Sequence, residues 1–215
     1  MFPADPAVDE LLSQGRIEVE GRLVDASNAT LFCEISGGDA VAQCVYKPVS
    51  GERPLWDFPD GTLAEREVAA YEVSAASGWR IVPPTVYRDG PYGPGMVQLW
   101  IDTDDDVDIV ALVRRAESAQ LRRIAVFDVL INNADRKGGH ILSGVDGQVY
   151  GVDHGVSLHV EDKLRTVLWG WAGKPVDDET LADVAALRDG FDGVAEQLCA
   201  HITQAEIAAL RSRIV

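Results

Sequence analysis

The stretch Asn132-Asn133-Ala134-Asp135-Arg136-Lys137-Gly138-Gly139-His140 runs off the end of an apolar helical pattern, and thirteen residues after His140 comes Val152-Asp153-His154-Gly155. A carboxylate in a loop and a second one at a hairpin end meet two needs of phosphoryl transfer. One group positions or deprotonates an acceptor hydroxyl, and the other ligates a metal that neutralises charge on a triphosphate. Either motif alone is common in turns, because Asn and Asp side chains bond their own backbone. Their chemical reading rests on finding both, with Val45-Tyr46-Lys47-Pro48 placing a lysine at a strand end upstream.

The elements that must position these residues are legible in the apolar periodicity. Residues 5 to 14 carry Val8, Leu11 and Leu12 at helical spacing and stop at Gly15. Alternation then predicts a strand through Ile17, Val19 and Leu23, a turn over Asp25 to Thr30, and two strands, LFCEI and VAQCVYKPV, around Gly37-Gly38. The segment TLAEREVAAYEVSAASG predicts a helix with Thr62 as N-cap and Gly78 as stop. IVPPTVYRDGPYGPGMVQLWI reads as two strands about a Pro/Gly turn. Beyond Val107 the pattern predicts helices at 107–117, 119–132, 179–188 and 203–213, with a small hairpin from HILSG to QVYGVDHG turning at Val145-Asp146-Gly147.

This order of elements, with the two motifs, resembles the atypical kinases related to phosphatidylinositol 3-/4-kinases and the HipA-like kinases. Their catalytic loop has the form D-R-x-x-x-N, and a metal-binding D-x-G closes the following hairpin. The resemblance implies an α+β, two-lobed protein-kinase-like fold: an N-terminal lobe of antiparallel sheet plus one helix over 1–101, and a mainly helical C-terminal lobe over 102–215. It places Asp135 as catalytic base and Asp153 as metal ligand, with His140 where the family has Asn. Imidazole suits softer metals than Mg²⁺, so this departure bears on the second metal position. Lys47 stands as the lysine on the α- and β-phosphates, paired with Glu67, or with Glu72 or Glu65 on other helical faces. Ser27 and Asn28 lie where a phosphate-covering loop would, without its GxGxxG. Gln98, Leu99, Trp100 and Ile101 match the hinge whose main chain pairs with adenine. The implied cofactors are ATP with Mg²⁺ or Mn²⁺.

Composition narrows the acceptor. A net charge of -16 over 215 residues repels nucleic acid and anionic lipid surfaces, which favours a protein hydroxyl or a soluble small molecule and argues against stable membrane association. The acidic N-terminal run MFPADPAVDELL lacks the features of a secretory signal, so the expected location is the cytoplasm. Cys33, Cys44 and Cys199 form no CxxC and read as reduced core thiols. His154, His159 and His201 read as structural or surface residues, Trp169 and Trp171 as packing, and Asp102 to Asp106 as a solvated loop. Two alternatives stay open: a nucleotide-binding pseudokinase disabled by His140, and a kinase-like protein that transfers AMP.

Overall fold

The computed structural model describes residues 7–23, 28–104 and 106–215. The chain divides into two compact units, Met1–Val68 with Pro83–Ile101, and Ala69–Val82 with Asp102–Val215. Where the sequence suggests one boundary after Ile101, residues 69–82 pack with the second unit. Ala69, Ala70, Val73, Trp79, Ile81 and Val82 bury their apolar groups in its core.

In the first unit, β1 (Arg16–Arg22), β2 (Leu31–Gly37), β3 (Ala40–Pro48), β4 (Thr85–Gly90) and β5 (Gly93–Leu99) form an antiparallel sheet ordered β1-β2-β3-β5-β4. The β2–β3 hairpin turns at Gly38, whose φ of 58° lies in the left-handed region that such a turn requires. Strand alternation sends Cys33, Ile35, Cys44, Tyr46, Val97 and Leu99 to one face, where α1 (Ala7–Gln14) covers them with Val8, Leu11 and Leu12. Cys33 and Cys44 are cross-strand partners and free thiols. Arg88 on β4 donates to the carbonyls of Leu12 and Gly15, satisfying acceptors at the C-terminal end of α1.

On the opposite face Met96 packs with Ala64 and Val68 of α2 (Leu63–Ala76). Met96 is paired across the ladder with Lys47. The start of α2 differs from the sequence expectation. Glu52 caps it, accepting from the amides of Leu63 at 3.2 Å and Ala64 at 2.8 Å, while the Thr62 hydroxyl donates to the Pro59 carbonyl. A carboxylate reaching back from the preceding loop satisfies two orphan donors and complements the helix dipole, which a threonine hydroxyl cannot match.

The second unit contains α3 (Ile109–Arg115), α4 (Ala119–Leu130), the hairpin β6 (Ile141–Ser143) and β7 (Val149–Gly151), then α5 (Asp178–Asp189), α6 (Phe191–Leu198) and α7 (Gln204–Ile214). Leu121, Ile124, Phe127 and Ile131 bury with Phe191, Val194, Leu198, Ile207 and Leu210. Side-chain caps start four of these helices, at Asp108, Ser118, Asp177 and Thr203, the last a full capping box with Glu206. Sequence periodicity missed α6. Its Phe191, Val194 and Leu198 are spaced helically, but it is short, and Gly190 and Gly193 break the signal.

Candidate active site

The loop after α4 is built by its two asparagines. Asn132 takes a φ of 53°, a conformation Asn tolerates better than most residues. Its side chain donates to the carbonyls of His159 and Glu161 and accepts from the Lys163 amide. Asn133 accepts from the Asp135 amide at 3.0 Å, closing a tight turn, and donates to the Asp128 carboxylate at 2.9 Å. The Arg165 amide bonds the Asn133 carbonyl, and the Arg136 amide bonds the Arg165 carbonyl. Asp135 is therefore fixed from both sides along the main chain, while its carboxylate faces outward. That carboxylate is about a quarter exposed, with Lys137 Nζ at 2.7 Å on one oxygen and Arg165 Nη2 at 3.2 Å on the other.

Beneath Asp135 lies a charged network sealed from water. Arg136 and Asp128 have no exposed side-chain surface, and their closest approach is 2.8 Å. The Asp128 carboxylate also accepts from Thr166 and Asn133. The guanidinium reaches His154 Nε2 at 2.6 Å, which therefore acts as acceptor, and Nη1 donates to the carbonyls of His140 and Val152 at 3.1 Å each. Neither Asp128 nor Arg136 was assigned a role from sequence. The available signal was Asp128 itself, a charge inside the apolar run from Ile124 to Ile131.

The hairpin brings the two expected metal ligands together, with His140 Nε2 3.2 Å from Asp153 Oδ2. Asp153 adopts a left-handed φ of 61°, strained backbone of a kind concentrated at functional sites. Burial pushes the His140 imidazole below the usual histidine range; Asp153 opposes that shift, and Arg136 and Lys137 add to it. A neutral ring keeps a nitrogen lone pair for a cation. No cluster of three or more His, Cys, Asp or Glu able to hold a metal occurs among the described residues. The Asp153 carboxylate suits a hard divalent ion that draws its other ligands from phosphate oxygens and water, whereas the His140 imidazole beside it suits a softer one.

In the first unit, Lys47 Nζ lies 2.6 Å from Glu67 Oε1, and the Glu67 side chain is 2% exposed. Of the candidate glutamates on α2, Glu67 bonds this lysine. Asn28 accepts from the Arg53 amide at 3.0 Å, and Ser27 lies outside the described residues. Gln98 is buried and donates to Thr85 at 2.8 Å. The amides of Leu99 and Trp100 bond the carbonyls of Pro84 and Gln43, Trp100 stacks edge-on with Phe32, and Ile101 is buried. Of the two tryptophans read as packing, Trp171 packs against the helical core, whereas Trp169 is 57% exposed.

No protein-family profile matches the chain. Its fold is α+β and protein-kinase-like: it aligns with the crystal structure of the Helicobacter pylori proinflammatory kinase CtkA at a TM-score of 0.57 and 10% identity, over 94% of this chain and 91% of that one. It is 30% identical over 76% of its length to phosphatidylinositol 4-kinase gamma 4 of Oryza sativa subsp. japonica, spanning 35% of that longer protein. Protein Rv2133c of Mycobacterium tuberculosis is 54% identical over 94% of this chain and 86% of its own length, so the chain belongs to the family of Rv2133c.

Proposed function

We propose that the protein is an ATP- and divalent-metal-dependent phosphotransferase of the atypical kinase group that includes the phosphatidylinositol 3-/4-kinases and the HipA-like kinases. It transfers phosphate to a hydroxyl of a protein or soluble small molecule in the cytoplasm. The observation that carries this reading is the Lys47–Glu67 pair, a strand lysine bonded at 2.6 Å to a buried helix glutamate, on a protein-kinase-like fold. A buried ion pair is weak evidence of stabilisation, whereas a lysine locked in place by a glutamate is what binding of the α- and β-phosphates needs. The similarity to a rice phosphatidylinositol 4-kinase supports the same reading.

In this reading Asp135 orients the acceptor hydroxyl and takes its proton, and Asp153 with His140 holds the metal. The metal, when bound, neutralises charge on the triphosphate. Lys47 contacts the phosphates, Asn28 helps to cover them, and the main chain from Gln98 to Ile101 meets the base. A net charge of -16 disfavours an anionic membrane surface.

The presence of His140 where the family has Asn favours a second reading, a pseudokinase that binds nucleotide without turnover. Calorimetry with ATP and Mg²⁺ or Mn²⁺ tests both readings. Saturable metal-dependent binding is expected, weakened about 100-fold in Asp153→Ala and clearly weakened in Lys47→Ala. Binding without any transfer or ATP turnover selects the pseudokinase, and no binding with either metal overturns both.

A further inference from the structure

We propose that Arg136 is a positioning residue for the phosphotransfer reaction, a buried fork that sets the His140 and Asp153 ligands relative to Asp135, with Gly151 providing the clearance its guanidinium needs. The inference rests on the function proposed above and adds to it a residue that touches neither nucleotide nor acceptor. Arg136 follows Asp135 directly in the chain. A single nitrogen, Nη1, bonds the carbonyl of His140, one candidate ligand, and the carbonyl of Val152, which directly precedes the other. Any rotation of the guanidinium therefore moves both ends of the hairpin together against the loop that carries Asp135.

The remaining donors fix the orientation of the fork. Nε and Nη2 grip the Asp128 carboxylate on α4, and Nη2 also meets His154. The planar five-donor geometry of arginine can serve these partners at once, and lysine cannot. Gly151 marks how closely the site is fitted. A Cβ there would lie 3.1 Å from Nη2 and 3.2 Å from both Nη1 and His154 Nε2. Its φ is not in the left-handed region, so backbone conformation does not call for glycine, and the guanidinium does. If the buried pair served only to fill space, apolar side chains of similar volume would do as well.

The test uses the full chain with ATP and Mn²⁺ as probe, in wild type, Gly151→Ala and Arg136→Lys. It reads affinity by calorimetry, the electron paramagnetic resonance spectrum of bound Mn²⁺, and Tm. Gly151→Ala keeps every charge and bond partner but nudges the fork. It is expected to weaken Mn²⁺·ATP binding about 10-fold and alter the Mn²⁺ spectrum, while Tm stays near wild type. Arg136→Lys keeps the charge but loses the fork, and is expected to weaken binding about 100-fold. Wild-type affinity and spectrum in Gly151→Ala, whatever the fate of Arg136→Lys, would overturn the positioning role and leave the proposed function standing. A wild-type protein that fails to bind Mn²⁺·ATP overturns the proposed function, and this inference with it.

Discussion

Two sets of charges meet around the segment from Asp128 to Lys137 and are built to opposite specifications. Arg136 and Asp128 are sealed, both carboxylate oxygens are occupied, and the partners are side chains and main chain with no outlet to water. Asp135, between Arg136 and the end of α4, holds two cations that are 56% and 76% exposed. Pairs of the second kind contribute about 0–1 kcal/mol each, since solvent screens them and long side chains lose entropy. Charges of the first kind cost several kcal/mol to desolvate and return that only if the whole network is satisfied. The difference separates their physical roles: the sealed set holds geometry, and the open set can exchange partners with water and solutes.

The sharpest way to break this comparison is Asp128→Ala, which leaves the Arg136 charge buried without its carboxylate. A loss of about 3–5 kcal/mol in unfolding free energy is expected by urea denaturation. A loss below about 1 kcal/mol would mean that water or another group replaces Asp128, and the distinction between sealed and open would fall.

An intermediate effect is expected at Asn132, which ties the loop to residues 159–163. Asn132→Ala loses three hydrogen bonds and keeps an unfavourable φ, for a total cost of about 2–3 kcal/mol. Asn132→Gly relieves the backbone and should cost less than Asn132→Ala. If the two substitutions are equal, the side-chain bonds alone hold the loop; if glycine is as stable as wild type, the φ alone matters. Either outcome sharpens how the exposed carboxylate of Asp135 is kept in place.

How far the sequence reveals this arrangement depends on the range of the interactions. The strands, the small hairpin and most helices follow from local periodicity, and the pairing of Lys47 with a glutamate on α2 follows from element order combined with the resemblance. What periodicity does not carry is contact between segments distant in sequence. The Glu52 cap on α2 crosses a Pro- and Gly-rich loop, and Thr62 offered a nearer and more conventional candidate. The roles of Asp128 and Arg136 appear only once α4, the loop and the hairpin are folded against one another, because the partners of Arg136 include main-chain carbonyls, which leave no trace in residue identity. Helix α6 was missed for a different reason: a short apolar stripe interrupted by glycine looks like loop until Phe191 and Leu198 are buried.

The smallest expected effect is at the open pairs themselves. Lys137→Ala and Arg165→Ala, singly or together, should change stability by no more than about 1 kcal/mol. The change should shrink further in 1 M salt, where the Debye length falls to about 3 Å. The cost of Asp128→Ala, arising where no water or ion reaches, should persist in the same salt. Urea denaturation of the double variant and of Asp128→Ala at low and high salt gives four numbers that separate the two designs. A double variant that loses more than about 2 kcal/mol independently of salt would place Lys137 and Arg165 within the sealed network. Asp135 would then be a structural carboxylate with both oxygens committed, which would remove it from the role of general base proposed for it.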